Sequence, residues 1–133
     1  MLTKKIFYFY IFSFLNITFC ADNLSIREIN SAQEFQELVL KNKGLVIVDF
    51  YWTKCPPCKK LAPELEKISK EFSTYNFYKI ESALTNKLNL ISEYKIRGYP
   101  TVIFFIDGQK VADVVGNNPA AIKNTIINLQ NKL

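Results

Sequence analysis

Residues 44–52, "GLVIVDFYW", are an apolar run broken by a single acid, Asp49. Such a run has no polar face to turn towards water, so it fits a central strand covered on both sides. A chain that contains it must supply a layer of helix for each face. The remaining segments do so. "LSIREIN" reads as a short first strand, with Leu24, Ile26 and Glu28 on one alternating face. Ser31 stands ahead of "AQEFQELVLKN" with Glu34 three residues on, the pattern of a capping box, and Phe35, Leu38 and Val39 fall on one side of that helix. "KKLAPELEKISKEF" places Leu61, Leu65, Ile68 and Phe72 at helical spacing. "YNFYKIE" reads as a third strand and "LTNKLNLISEYKI" as a third helix. "TVIFF" and "KVADVV" flank "IDGQ", a hairpin turning at Asp107-Gly108, and "NPAAIKNTIINLQNKL" closes the chain as a helix. The order β-α-β-α-β-α-β-β-α predicts an α/β fold: a central mixed sheet, parallel early and antiparallel at its end, with helices on both faces. At 133 residues the chain has room for one such core.

The first 20 residues follow a different rule. "MLTKK" is positive and "IFYFYIFSFLNITFC" is an apolar run of 15 residues carrying Ser13, Asn16 and Thr18. Charge, apolar run and small residues in that order predict a secretory signal peptide over 1–20, cut near Cys20, with residues 21–133 as the domain. A retained membrane anchor wants about 20 apolar residues, and Phe19 fits poorly before a lipid-bearing Cys20. The expected location is the secretory pathway or another extracytoplasmic compartment. Removing this segment takes Lys4 and Lys5 with it and lowers the formal net charge from +5 to +3. No basic stripe with interleaved aromatics remains, which excludes nucleic acid as a partner.

Of three cysteines, the domain keeps Cys55 and Cys58, in "YWTKCPPCKK". Secreted domains use cysteines to staple distant segments, and two so close together staple nothing. A structural zinc site needs four nitrogen or sulfur ligands, and the chain has no histidine and no second cysteine pair, so no metal is expected. A redox pair fits better. Cys55 ends a loop and Pro56 opens a helix, at the first helical position that suits proline. Cys55 is then the N-cap, where the helix dipole and free amides lower a thiol pKa. Cys58, one turn on, is close enough to close a small disulfide ring; an inert local disulfide is the alternative.

These residues resemble the thioredoxin family over 24–133. "VDFYWTKCPPCKKLAPEL" matches the family's strand end at Asp49 and Phe50, both cysteines, Pro57, Lys59 and Pro63, and "IRGYPT" matches its cis-proline loop at Pro100. "FIDGQKVADVVG" matches the closing hairpin, with Gly116 in place. The resemblance implies a thioredoxin fold and assigns Cys55 as nucleophile and Cys58 as resolving thiol. It makes Asp49 a buried acid of raised pKa that relays the Cys58 proton; the alternative is a strand-end carboxylate facing water. Pro100, if cis, presents the Tyr99 backbone to a substrate, with Gly98, Trp52 and Lys54 as further substrate contacts. The sequence departs from the family at three positions: Lys54 replaces the usual Trp before the first cysteine, Pro56 replaces the usual Gly, and Phe77 falls where a buried lysine is expected.

The implied reaction is thiol–disulfide exchange on disulfide-containing proteins, without a cofactor and with a reductase or membrane electron donor to recharge the pair. Pro56 and Pro57 remove amide donors that would stabilise a Cys55 thiolate, so a reductant is expected. The runners-up are a disulfide isomerase or oxidase, and a non-turnover subunit of a secretory or protein-translocation assembly.

Overall fold

The computed structural model describes residues 26–133. The segment 1–20, its junction at Cys20 and the strand position given to Leu24 lie outside the described residues. Five strands form one sheet: β1 (Arg27–Glu28), β2 (Leu45–Tyr51), β3 (Asn76–Glu81), β4 (Thr101–Ile106) and β5 (Gln109–Val115). Their spatial order is β1-β3-β2-β4-β5, so β2 is central, as its unbroken apolar run requires. β3 runs parallel to β1 and β2; β4 is antiparallel to β2 and to β5. The mixed α/β sheet expected from the sequence is present.

Alternation along β2 divides the core. Val46, Val48 and Phe50 pack with Phe35, Val39, Leu90 and Tyr94 on one face. Leu45 and Ile47 pack on the other with Leu61, Leu65, Ile68, Ile122 and Ile126, which belong to α2 (Pro56–Glu71) and to the C-terminal helix, Pro119–Gln130. Asp49 has the parity of Leu45 and Ile47, so it lies on the α2 face. Among the described residues no other carboxylate is buried.

The first helix, α1 (Ala32–Phe35), starts as its sequence demands: Ser31 Oγ accepts from Glu34 N–H at 3.1 Å, and the Glu34 carboxylate reaches back to Asn30 N–H at 2.7 Å. It then widens into a π-helical turn over Gln36–Leu40. The third predicted helix is two short ones, α3 (Ser82–Lys87) and α4 (Leu90–Tyr94). Asn89 separates them in the left-handed region at φ 57°, a conformation that asparagine tolerates better than most residues. The break lets Leu90 and Tyr94 both reach the core. Among the described residues the predicted first strand is the two-residue β1, with Ile26 and Ile29 on either side packed into opposite core faces.

The β4–β5 turn places Asp107 and Gly108 at φ 51° and 78°, the all-positive geometry of a tight hairpin turn. A Cβ at Gly108 would run into the Leu40 carbonyl. Gly108→Ala therefore combines backbone strain with a collision against fixed backbone, and is expected to cost about 2–3 kcal/mol. A urea midpoint within error of wild type would show that the turn gives way at no cost.

Candidate redox site

Cys55 is the N-cap of α2, in extended conformation, and Pro56 is the first helical residue. Pro56 and Pro57 carry no N–H, so the first amide the helix offers is that of Cys58, and it donates to Cys55 Sγ at 3.3 Å. Cys55 and Cys58 form a disulfide with their Cα atoms 5.3 Å apart. Each is 5% exposed, so a partner reaches only the rim of the sulfurs. The loop before β4 closes one side. Its Tyr99–Pro100 bond is cis, and the Tyr99 carbonyl oxygen lies 3.5 Å from Cys55 Sγ, an acceptor for a thiol there. Thr101 Oγ1 donates to the Gly98 carbonyl at 2.7 Å and Gly116 N–H donates to the Pro100 carbonyl at 2.8 Å, fixing that loop. The space a Cβ would fill at Gly98 is open.

Beneath the disulfide, a cavity of about 160 Å³ is lined by Asp49, Tyr51, Trp52, Cys58, Lys59 and Lys79, among others. At about 30 Å³ per molecule this is room for several waters. Asp49 is buried, and its Oδ1 has no hydrogen-bond partner among the described residues. Burial pushes its carboxyl from 3.8 up to about 7, with the Lys79 ammonium pulling the other way. An acid poised near neutrality beside Cys58 can hold or take a proton there. Trp52, 45% exposed, stands at the cavity mouth, and Lys54 is exposed next to Cys55.

Sequence reasoning placed the buried lysine's position at Phe77. The register corrects this. Phe77 pairs with Ile47, two residues short of the acid, and packs into the α2-side core, whereas Lys79 pairs with Asp49 itself. Alternation keeps Phe77, Lys79 and Glu81 on one face, and that pattern was visible in "FYKIE"; the pairing partner was not. Two further residues, Tyr51 and Glu81, shape the site. The Tyr51 hydroxyl donates to Glu28 Oε1 at 2.6 Å, and Lys79 Nζ sits 5.8 Å over the Tyr51 ring, so Tyr51 is a platform for the cation that faces Asp49. Burial, reinforced by the bond to Glu28, pushes the Tyr51 phenol above its usual range, and it stays neutral. Glu81 caps α3 through Ala83 N–H and also accepts from the Thr53 hydroxyl at 3.3 Å, tying the loop before Cys55 to the end of β3. The Ala83 N–H bond, above all, holds the Glu81 carboxyl below its usual range.

Residues 26–128 match the family model described as Thioredoxin. Thioredoxin-1 of Saccharomyces cerevisiae is 39% identical over 101 residues, 76% of this chain and 95% of that protein. The crystal structure of mitochondrial thioredoxin 3 from the same yeast, in its oxidised form, superposes with a TM-score of 0.70 at 28% identity, covering 80% of this chain and 97% of that one. Thioredoxin from Trypanosoma brucei brucei reaches a TM-score of 0.74 over 86% of this chain and 99% of its own, at 24% identity, a likeness of fold. These relatives overturn the expectation of a secretory or extracytoplasmic location. The fungal thioredoxins do not indicate a secretory route, and the mitochondrial structure is named for another compartment. The physical reason is that a positive segment followed by an apolar run is a compositional pattern, and composition by itself names no compartment.

Proposed function

The chain belongs to the thioredoxin family and is a thiol–disulfide oxidoreductase with protein-disulfide reductase activity, and we propose that Cys55 attacks and Cys58 resolves. The observation that carries this assignment is the asymmetry of the pair: Cys55 caps the helix beside the Tyr99 carbonyl, while Cys58 lines the cavity that holds Asp49. The Cys55 thiolate attacks one sulfur of a substrate disulfide, forming a mixed disulfide and expelling the first substrate thiolate. Asp49 takes the proton of Cys58 through the cavity. The Cys58 thiolate then attacks Cys55 Sγ, the second substrate thiolate leaves, and the domain is left oxidised. A reductase or membrane electron donor returns two electrons and two protons. The Tyr99 backbone beside Pro100, with Gly98, Trp52 and Lys54, receives the substrate chain.

The two prolines support a reducing direction. With no amide on Pro56 or Pro57, a single backbone N–H serves the Cys55 sulfur, so its thiolate is less stabilised than at an ordinary helix N-terminus. Equilibration with glutathione buffers tests this. A potential near about −270 mV is the expected result, and one near about −180 mV or above makes the protein an isomerase or oxidant. The working domain is residues 21–133, and residues 1–20 are a leader removed near Cys20, a reading supported by their layout alone. The non-turnover reading, a subunit of a protein-translocation assembly, is answered by a Cys55→Ser/Cys58→Ser variant, whose loss of cellular role favours chemistry over scaffolding.

A further inference from the structure

Four cations lie on the segments that flank the sulfurs, and among the described residues none of them is ion-paired. Lys54 precedes Cys55, Lys59 and Lys60 follow Cys58, and Arg97 opens the loop whose Tyr99 carbonyl lies 3.5 Å from Cys55 Sγ. All four are exposed. None takes part in the ion pairs of the described residues, whose cations are Arg27, Lys41, Lys67, Lys110 and Lys123. The acids at this end of the sheet are already engaged. Glu81 caps α3 and holds Thr53, Glu28 accepts from Tyr51, and Asp49 is buried.

Building on the reductase reading, we infer that the rim around Cys55 selects disulfides flanked by carboxylates, that is, acidic segments of partner proteins. A single exposed charge is worth little in water, but four of one sign around one reacting atom sum into a field. That field speeds the encounter with an acidic segment and slows a basic one, because side chains flanking a substrate cysteine must come within a Debye length of this rim for the sulfurs to meet. Trp52, exposed on the same rim, adds apolar contact that does not distinguish charge. Lys54 matters most by position. It stands directly before the attacking sulfur, where the family pattern has an uncharged Trp, so the recognition surface of this chain gains charge where its relatives offer a ring.

Three peptides of equal length, each with one internal disulfide, flanked by Glu, Gln or Lys, provide the test. The pre-reduced protein is mixed with each, and the reduced peptide is followed by chromatography. The Glu peptide is expected to react about 10-fold faster than the Lys peptide at low salt, with Gln between them. The ratio should fall towards one at about 0.5 M NaCl, where screening reaches about 4–5 Å. Lys54→Glu/Arg97→Glu should invert the order. Lys70→Glu/Lys132→Glu makes the same change in net charge, with Lys70 about 22 Å along α2 from Cys55, and should keep it. Equal rates at low salt, or an unchanged order in Lys54→Glu/Arg97→Glu, overturn the inference and leave the reductase reading standing. Failure to reduce the Gln peptide overturns both.

Discussion

Cys58→Ser is expected to turn this reductase into a trap for its own substrates. Cys55 keeps its position at the N-cap, its contact with the residue-58 amide and its exposed rim, so it still attacks a substrate disulfide. The mixed disulfide then has no resolving thiol within reach. Steady-state disulfide reduction should fall by about 10³-fold or more, and the protein should accumulate as a covalent adduct. Cys55→Ser should lose activity to the same extent and form no adduct. Intact-mass measurement after mixing with a disulfide protein, without reductant, separates the two variants. An adduct on the Cys55→Ser variant and none on Cys58→Ser would reverse the roles assigned to the sulfurs.

The second large effect concerns the stability of the fold. Asp49 has a folded pKa of about 7 against 3.8 for the free group, so between those values the native state binds more protons than the unfolded chain. Its contribution to stability is therefore complete below about pH 4 and is lost as pH rises through about 7, a change of about 4 kcal/mol. Asp49→Asn removes that dependence. Relative to wild type, the Asn variant should gain about 4 kcal/mol between about pH 4 and pH 8, measured by urea unfolding across the range. Comparing the two proteins cancels Glu34 and Glu81, whose lowered pKa values act in the opposite direction. The same variant should release substrate from the mixed disulfide about 10²-fold more slowly. Lys79→Met should push the Asp49 titration further above 7, because the ammonium is what holds it down. A flat difference in stability from acid to alkaline pH would mean that the carboxylate is solvated in the native state.

The parts of this architecture that were legible in the sequence are those set by local chemistry. The run from Leu45 to Tyr51 has no polar face and became the central strand. Cys55-Pro56 had to open a helix, and Asp107-Gly108 had to turn. Ser31 and Glu34 marked a helix start to the residue. What stayed hidden depends on pairing across the chain. Whether Phe77 or Lys79 meets Asp49 is decided by register, and a slip of two residues keeps every side chain on its own face, so the hydrophobic pattern accepts either. The break at Asn89 is similar: the apolar spacing of 84–96 suits one helix, and only the positions of Leu90 and Tyr94 against the sheet require two.

The two margins of the sheet bear on how this protein behaves at high concentration. A strand with unpaired amides and carbonyls is a template for another chain, and growth from an edge is how folded domains begin to aggregate. β1 offers two residues, too few to seed a ladder. β5 is seven residues long and exposes Val111 and Val115, so it is the vulnerable margin. It is guarded twice: a bulge opposite Phe104 and Phe105 breaks its register with β4, and the Lys110–Asp113 ion pair sets two charges within the strand. A growing fibril would have to bury both charges and flatten that bulge, so colloidal stability in this domain rests on a few residues at its rim and not on its core.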